Sequence, residues 1–343
     1  MNRNTGKRKT REEILENNYK SMITGIGFSV PNKILTNADL EKIVDTSDEW
    51  IRTRTGMLER HIADDSIATS DLSTEAAKKA LAMAGVKPKD LDIIIVATVT
   101  GDTPFPSAAC FIQKNLGATR AAAFDISAAC SGFLYGLTLA NNFIANGSYK
   151  NVLVIGAEIL SKITDYTDRK TCVLFGDGAG AAMVQPSDGK RGIIKTYIKS
   201  DGRLTDLLYL PGGGSRQPAT HETIDQHLHY IKMEGPEVFK AAVKAMGDAA
   251  VDILKLAGMK SSQLALLIPH QANIRIIQAT ARRIKLPFEK VFVNVHKYGN
   301  TSAASIPIAL TEAMEQGRLK QDDYCLLVSF GGGFTTGGVL LKF

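Results

Sequence analysis

The chain has 343 residues, 44% of them apolar and 22% charged, with a formal charge of +6, so it can bury a large core as one big domain or two of ordinary size. No apolar run approaches 18 residues and the N-terminus has no apolar h-region, which argues against a membrane span and a secretory signal and leaves a soluble, cytoplasmic protein as the expectation. Four scattered cysteines without CxxC spacing argue against a disulfide framework and a zinc site, so no metal is expected.

Residues 1–22 carry +3 of the charge, from Arg3, Lys7, Arg8, Lys9, Arg11 and Lys20 against Glu12, Glu13 and Glu16. They read as a flexible extension, because regular patterning starts at Met22 with the strand-like MITGIGFSVP. The basic residues lack interleaved aromatics and any recognised binding motif, so nucleic acid is not the expected partner.

An alanine-rich helix, SDLSTEAAKKALAMAG, then ends at Gly85, and six residues later Leu91 opens the strand LDIIIVATVT. AAAFDISAAC leads into a helix running toward Gly147, followed by the strand NVLVIGAE. After the turn-rich PSDGKRG at 186–192 the order repeats. The helix VFKAAVKAMGDAAVDILKLAG ends at Gly258, Leu264 opens LALLIPHQAN six residues later, and VFVNVHKYGN leads into a helix toward Gly317 followed by DYCLLVSFGGG. Glycines at these helix ends are natural left-handed caps. Gly147 lies 17 residues beyond Cys130 and Gly317 lies 17 beyond Asn300. The spacing predicts an α/β protein built from two similar halves, residues 23–188 and 189–343.

Cys130 falls where a strand-like run gives way to an amphipathic helix. The unpaired N–H groups and macrodipole of a helix N-terminus favour a thiolate, so a lowered thiol pKa and a nucleophilic role are expected. Alone, a cysteine is as well explained as a small buried hydrophobe, and Cys110, Cys172 and Cys325 are left in that class. His270 follows the apolar LALLI and a proline, so its ring should project from the carboxyl end of a strand, where open α/β sheets gather their sites. A lone histidine there also reads as a cap. Asn300 lies in GNTSAAS, whose small residues would let a substrate approach the backbone, although an ordinary N-cap explains it equally. The FGGGFTTGG run at 330–338 can present bare N–H groups to an oxyanion. GDGAGA at 176–181 lacks dinucleotide spacing and a Walker lysine, and reads as tight turn and close packing.

Taken together, DISAACSGF, PHQANIRI and YGNTSAAS resemble the β-ketoacyl-acyl carrier protein synthase III family, the initiating condensing enzymes of type II fatty acid synthesis. TNADLEKIVDTSDEWIRTRTG, FPSAAC, DRKT, FGDGAGAA and GGGFTTGG extend the resemblance from about Met22 to Phe343. It implies a thiolase-like fold of alternating helix and sheet layers, αβαβα, usually in a homodimer. It also implies that Cys130 takes an acyl group from acyl-coenzyme A, while His270 and Asn300 donate hydrogen bonds to the thioester carbonyl of malonyl-acyl carrier protein. No cofactor is implied beyond these two substrates. The oxyanion hole would be the N–H groups of Cys130 and Gly332. Coenzyme A would be met by Thr46, Trp50, Arg54, Arg169, Asn273 and Phe330, with Trp50 and Arg169 sandwiching the adenine. Phe105 would reach across the dimer to cap the partner's acyl pocket, and Lys240, Arg275, Arg282 and Arg283 would receive the acidic carrier protein. Solvated helix faces explain those four charges about as well.

Other readings stay open. The order Cys130, His270, Asn300 also occurs in papain-like hydrolases, but no CGSCW-like segment surrounds Cys130 and the α/β repeat would go unexplained. Thiolase chemistry would need a second catalytic cysteine, and Cys325 lies inside an apolar strand. A related condensing or acyl-transferring enzyme of secondary metabolism fits nearly as well as fatty acid initiation. A non-catalytic scaffold that binds carrier protein is the alternative outside enzymes.

Overall fold

The computed structural model describes residues 20–343, so the expected flexible extension lies, up to residue 19, outside the described residues. The first strand already begins at Ser21, one residue before the expected start. Strands β1 (Ser21–Ser29), β2 (Ile93–Ala97), β3 (Ala122–Ile126), β4 (Val152–Glu158) and β5 (Gly178–Pro186) form one sheet in the order β1-β5-β4-β2-β3. Strands β6 (Gly192–Ser200), β7 (Leu266–Pro269), β8 (Tyr324–Gly331) and β9 (Thr335–Lys342) form a second in the order β7-β8-β9-β6. Only β2-β3, β2-β4 and β7-β8 are parallel pairs. The two orders superpose strand for strand. A fifth position in the second sheet is marked by a single bridge between Leu267 and Val291, so VFVNV does not extend into a full strand.

Among the described residues, the helices of eight or more residues are α1 (Asp48–Thr55), α2 (Thr69–Ala84), α3 (Ala108–Leu116), α4 (Gly132–Ala145), α5 (Gly235–Leu256), α6 (Ile274–Arg283) and α7 (Ser305–Glu315). The alternation of strand side chains decides where each one packs. Ile93, Ile95, Val152 and Val154 face one way and join Cys325 and Leu327 of the second sheet around α4 and α7. Ile94, Val96, Leu153 and Ile155 face the other way, against α2 and α3. Leu326 and Val328 likewise face α5 and α6. Both faces of each central strand are covered, which is why these strands read as unbroken apolar runs. The result is five layers, with α4 and α7 inside. The glycine caps are left-handed as expected, with φ of 66° at Gly85, 78° at Gly147, 65° at Gly258 and 65° at Gly317.

The inner layer is closely set. A Cβ at Gly156 on β4 would lie 2.2 Å from the Ala303 carbonyl oxygen, and one at Gly132 would lie 2.7 Å from Ala97 Cβ. One at Gly180 would lie 2.6 Å from Pro307. The glycines of GDGAGA therefore serve close packing, as expected. Two small residues of GNTSAAS do the same: Ala303 is pressed on Gly156, and a Cβ at Gly299 would meet the Leu174 carbonyl at 2.8 Å.

Gly156→Ala should lower the unfolding free energy by about 1–3 kcal/mol through overpacking, without changing the fold. Urea unfolding followed by far-UV circular dichroism checks this; wild-type stability would mean that the layers are free to separate.

Candidate active site

Cys130 lies in the one-turn segment Ala129–Ser131 that feeds directly into α4, at the end of the inner layer. Ala129 before it has φ 45°, in the left-handed region that disfavours side chains. His270 follows the last residue of β7, and Asn300 sits before the turn Ser302–Ala304 that feeds into α7. Two strand-to-helix junctions, one from each half, thus bring a cysteine and an asparagine to the same place. Two cavities meet at Cys130. One, of about 220 Å³, is lined by Cys130, His270, Asn300, Trp50, Asn273 and Phe330 among others. The other, of about 360 Å³, has mostly apolar walls including Val99, Leu160, Ile163 and Phe175, with Ser302 and Gly332 beside the cysteine.

His270 is 2% exposed, and burial holds its imidazole down to about 3, so it is neutral at ordinary pH. Its Nδ1 lies 2.6 Å from Ser305 Oγ. The Gln271 N–H donates to the same oxygen at 3.4 Å. In the tautomer in which Ser305 donates to Nδ1, the ring hydrogen lies on Nε2 and the histidine presents a donor to the cavity. Asn300 is oriented in the same way. Its Oδ1 accepts from the Ser302 N–H at 2.9 Å, and its main chain is held by Leu174 and Gly176 at 2.8 and 3.1 Å, leaving the amide N–H groups for the cavity.

The thiol departs from the expectation. Burial pushes Cys130 up to about 12, and the carboxyl of Glu158 adds to the rise. The glycine run fits tightly behind it. A Cβ at Gly331 would lie 2.6 Å from the Cys130 nitrogen, so the turn can be this near only as glycine, and Gly332 reaches the cavity wall.

Trp50, Asn273 and Phe330 line the cavity that holds His270, whereas Thr46, Arg54 and Arg169 do not. Arg169 rests on Trp50, its guanidinium carbon 5.0 Å from the ring centroid, and pairs with Asp45 at 3.4 Å. A ring inserted between them needs about 7 Å, twice a van der Waals contact, so Arg169 must move about 2 Å. Asn273 caps α6, accepting from the Arg275 N–H and donating to the Arg54 carbonyl, both at 2.9 Å. Thr46 Oγ1 is buried without a partner. Phe330 stacks edge-on against Phe334 at 4.5 Å. Phe105 is 86% exposed and lines neither cavity. The four basic residues are exposed but not equivalent. Arg283 is drawn to Asp248 at 3.0 Å, Lys240 pairs with Glu237 at 2.9 Å, and Arg275 lies over the Phe239 ring.

Three residues at the site were not singled out from the sequence. Ser302 and Ser305 lie within a quoted motif. Glu158 was detectable as the one charge at the carboxyl end of an apolar strand. Among the described residues, no group of three or more His, Cys, Asp or Glu side chains is placed to hold a metal ion, and no helix is long and apolar enough to cross a membrane.

Residues 124–202 match the sequence model for 3-oxoacyl-[acyl-carrier-protein (ACP)] synthase III, and residues 254–343 match that for its C-terminal part. The β-ketoacyl-[acyl-carrier-protein] synthase III of Caldanaerobacter subterraneus is 58% identical over 320 residues, 93% of this chain and 97% of the relative. The crystal structure of 3-oxoacyl-[acyl-carrier-protein] synthase III from Aquifex aeolicus VF5 superposes with a TM-score of 0.88 at 51% identity, covering 94% of this chain and all of that one. A priming β-ketosynthase from the R1128 polyketide biosynthetic pathway superposes with a TM-score of 0.87 at 32% identity, covering 95% and 97% of the two chains. By sequence over nearly its whole length and by the thiolase-like fold that the motifs implied, the chain belongs to the β-ketoacyl-[acyl-carrier-protein] synthase III family.

Proposed function

We propose that this protein joins a short acyl group from acyl-coenzyme A to malonyl-[acyl carrier protein], releasing coenzyme A and carbon dioxide and opening fatty acid synthesis. The observation that supports this reading is the convergence of Cys130, His270 and Asn300 on one cavity, with His270 Nδ1 held by Ser305 and Asn300 Oδ1 by the Ser302 N–H. Cys130 attacks the acyl thioester and keeps the acyl group. Malonyl-carrier protein then enters, and the His270 and Asn300 N–H groups hold its thioester oxygen as carbon dioxide leaves, stabilising the enolate. The enolate carbon attacks the acyl group on Cys130, whose oxygen is held by the N–H groups of Cys130 and Gly332. A neutral histidine suits this task, because a charged one would retain its proton poorly against a growing negative charge and would cost more to bury.

The apolar cavity receives the acyl chain. An acetyl group fills only a few water volumes of ~30 Å³ each, so about 360 Å³ leaves room for branched or longer primers before a partner subunit's Phe105 enters. That room keeps the polyketide-priming reading alive as the second possibility. Trp50 and Arg169 open to clasp the adenine, aided by Thr46 and Arg54. Lys240, Arg275 and Arg282 face the carrier protein, and Arg283, held by Asp248, contributes less. A cytoplasmic homodimer completes this reading.

Condensation with malonyl-carrier protein, offered acetyl-, isobutyryl- and octanoyl-coenzyme A in parallel, tests the assignment. A short primer should be preferred; acylation of Cys130 without condensation on any of them would point to another acceptor. Cys130→Ala should take up no acyl label. His270→Ala and Asn300→Ala should still self-acylate, yet condense about 10²–10³-fold more slowly. Normal condensation by His270→Ala would overturn the donor role.

The same burial sets a pH dependence. Between about 3 and 6.5 the unfolded chain protonates His270 and the folded chain does not, so stability falls as pH falls through that window. Relative to His270→Gln, the wild type should lose about 1.4 kcal/mol per pH unit there. Urea titrations of both proteins at pH 7, 6 and 5 check this, and a constant difference would mean the ring is protonated in the folded state.

A further inference from the structure

We infer that Arg60 is a positioning residue that sets two walls of the cavity at once: the first turn of α1, which carries Trp50, and the segment 173–175, to which Asn300 is bonded. The inference rests on the roles proposed above for Trp50 and Asn300 and concerns how the two are held. Arg60 itself lines neither cavity.

Arg60 lies in the short strand Glu59–His61, which pairs with Ile34–Thr36, and is 0% exposed. Burial lowers it to about 10, so it stays charged at neutral pH. Its guanidinium is nevertheless held by neutral oxygens. Nη1 donates to Asn37 Oδ1 at 2.7 Å and to the Leu35 carbonyl at 3.5 Å, and Nη2 donates to the Val173 carbonyl at 2.6 Å. Among the described residues no carboxylate pairs with it, and its Nε is buried without a partner. A buried cation with neutral partners and one N–H left over is a costly way to hold a fold together. What its planar fork supplies is direction, because the two arms reach two separate segments.

The first arm runs to α1. Arginine can only donate, so it takes the oxygen of the buried Asn37 amide and turns the NH₂ the other way. That group donates to Asp48 Oδ1 at 2.8 Å and to the Met57 carbonyl at 2.9 Å. Asp48 opens α1, and Trp50 follows in the same turn. The far end of α1 has anchors of its own: the Arg54 carbonyl accepts from Asn273, and a Cβ at Gly56 would lie 2.7 Å from Ile274. At the first turn the other hydrogen bonds, from the Asp48 N–H to Glu41 and from the Trp50 N–H to Ser47, are exposed. The tie to Asn37 is the one backed by the core.

The second arm runs to Asn300. Next to the Val173 carbonyl, that of Leu174 accepts the Asn300 N–H at 2.8 Å, and the Gly176 N–H returns to the Asn300 carbonyl at 3.1 Å. Val173, Leu174 and Phe175 line the cavity together with Asn300. The Arg60 stem packs against the same crossing: its Cβ stands 3.1 Å from where a Cβ would begin at Gly176 and 3.3 Å from one at Gly299. A single side chain outside the cavity therefore fixes the distance between a wall from the first turn of α1 and a wall that carries Asn300.

Trp50 is the chain's one tryptophan, so its fluorescence reports on the first turn directly. The test compares wild type, Asn37→Asp and Arg60→Lys at pH 8, each shown to be folded by far-UV circular dichroism. It reads Trp50 emission without ligand, its quenching by coenzyme A, and condensation by protein already acylated. Asn37→Asp keeps an oxygen for Arg60 and sets another against the Asp48 carboxylate. Its Trp50 emission should move to longer wavelength and its coenzyme A midpoint should rise about 5–30-fold, while condensation from the acylated state stays within about 2-fold of wild type. Adding Asp48→Asn reverses that hydrogen bond instead of breaking it and should restore both Trp50 readings. Arg60→Lys keeps the charge without the fork and should in addition slow condensation about 10–100-fold. Should Arg60→Lys fail to fold, Asn37→Asp and the paired exchange decide. Wild-type emission and midpoint in Asn37→Asp, no recovery in the pair, or a loss of condensation in Asn37→Asp equal to its loss of binding overturns the inference. Failure of the wild type to bind coenzyme A would instead overturn the role given to Trp50, and the emission of the unliganded proteins would still judge Arg60.

Discussion

The closeness of the two inner helices to the sheets around them is the constraint on which the rest depends. The carbonyl of Ala303 sits where a side chain of residue 156 would begin, and Gly132 at the start of α4 lies against Ala97. These contacts have no slack. They fix the start of each inner helix against the carboxyl ends of the strands, and those starts carry Cys130 and Asn300. A shift of either helix by the width of a methyl group would change the spacing of Cys130 and Asn300 around their shared cavity, and misplacement on that scale is costly to any chemistry done there. The glycines therefore act on chemistry through position, without touching a substrate.

Burial at this depth makes each polar group depend on a named partner. Asn300 is oriented by Ser302, His270 by Ser305, and Glu158 by two threonines and a backbone N–H. Gln271 spans between layers, accepting from the Asn294 and Val295 N–H groups and donating to the carbonyls of Pro269 and Phe292. A buried amide or imidazole left without such a partner would cost ~1–3 kcal/mol and lose its direction. Arg169 and Trp50, by contrast, rest on each other at the surface.

Much of this was legible in the sequence because it is periodic. Unbroken apolar strands, alanine-rich helices and left-handed glycine caps recur at matching intervals, and the two sheets repeat the same strand order. Cys130, His270 and Asn300 stood out because each lies at a strand end or helix start. What was misjudged depends on depth, which periodicity does not report. The thiol was expected to be lowered by its helix, yet burial raised it. Ser302 and Ser305 carry no periodic signal, since their roles follow from contacts across 144 and 35 residues.

Depth also decides what can reach the sulfur. Cys130 is 9% exposed and opens only onto two cavities, and burial raises its thiol, which disfavours the thiolate that peroxides and electrophiles consume. A reagent must therefore enter by the route that a thioester would take, and the walls that shape the site also screen its sulfur.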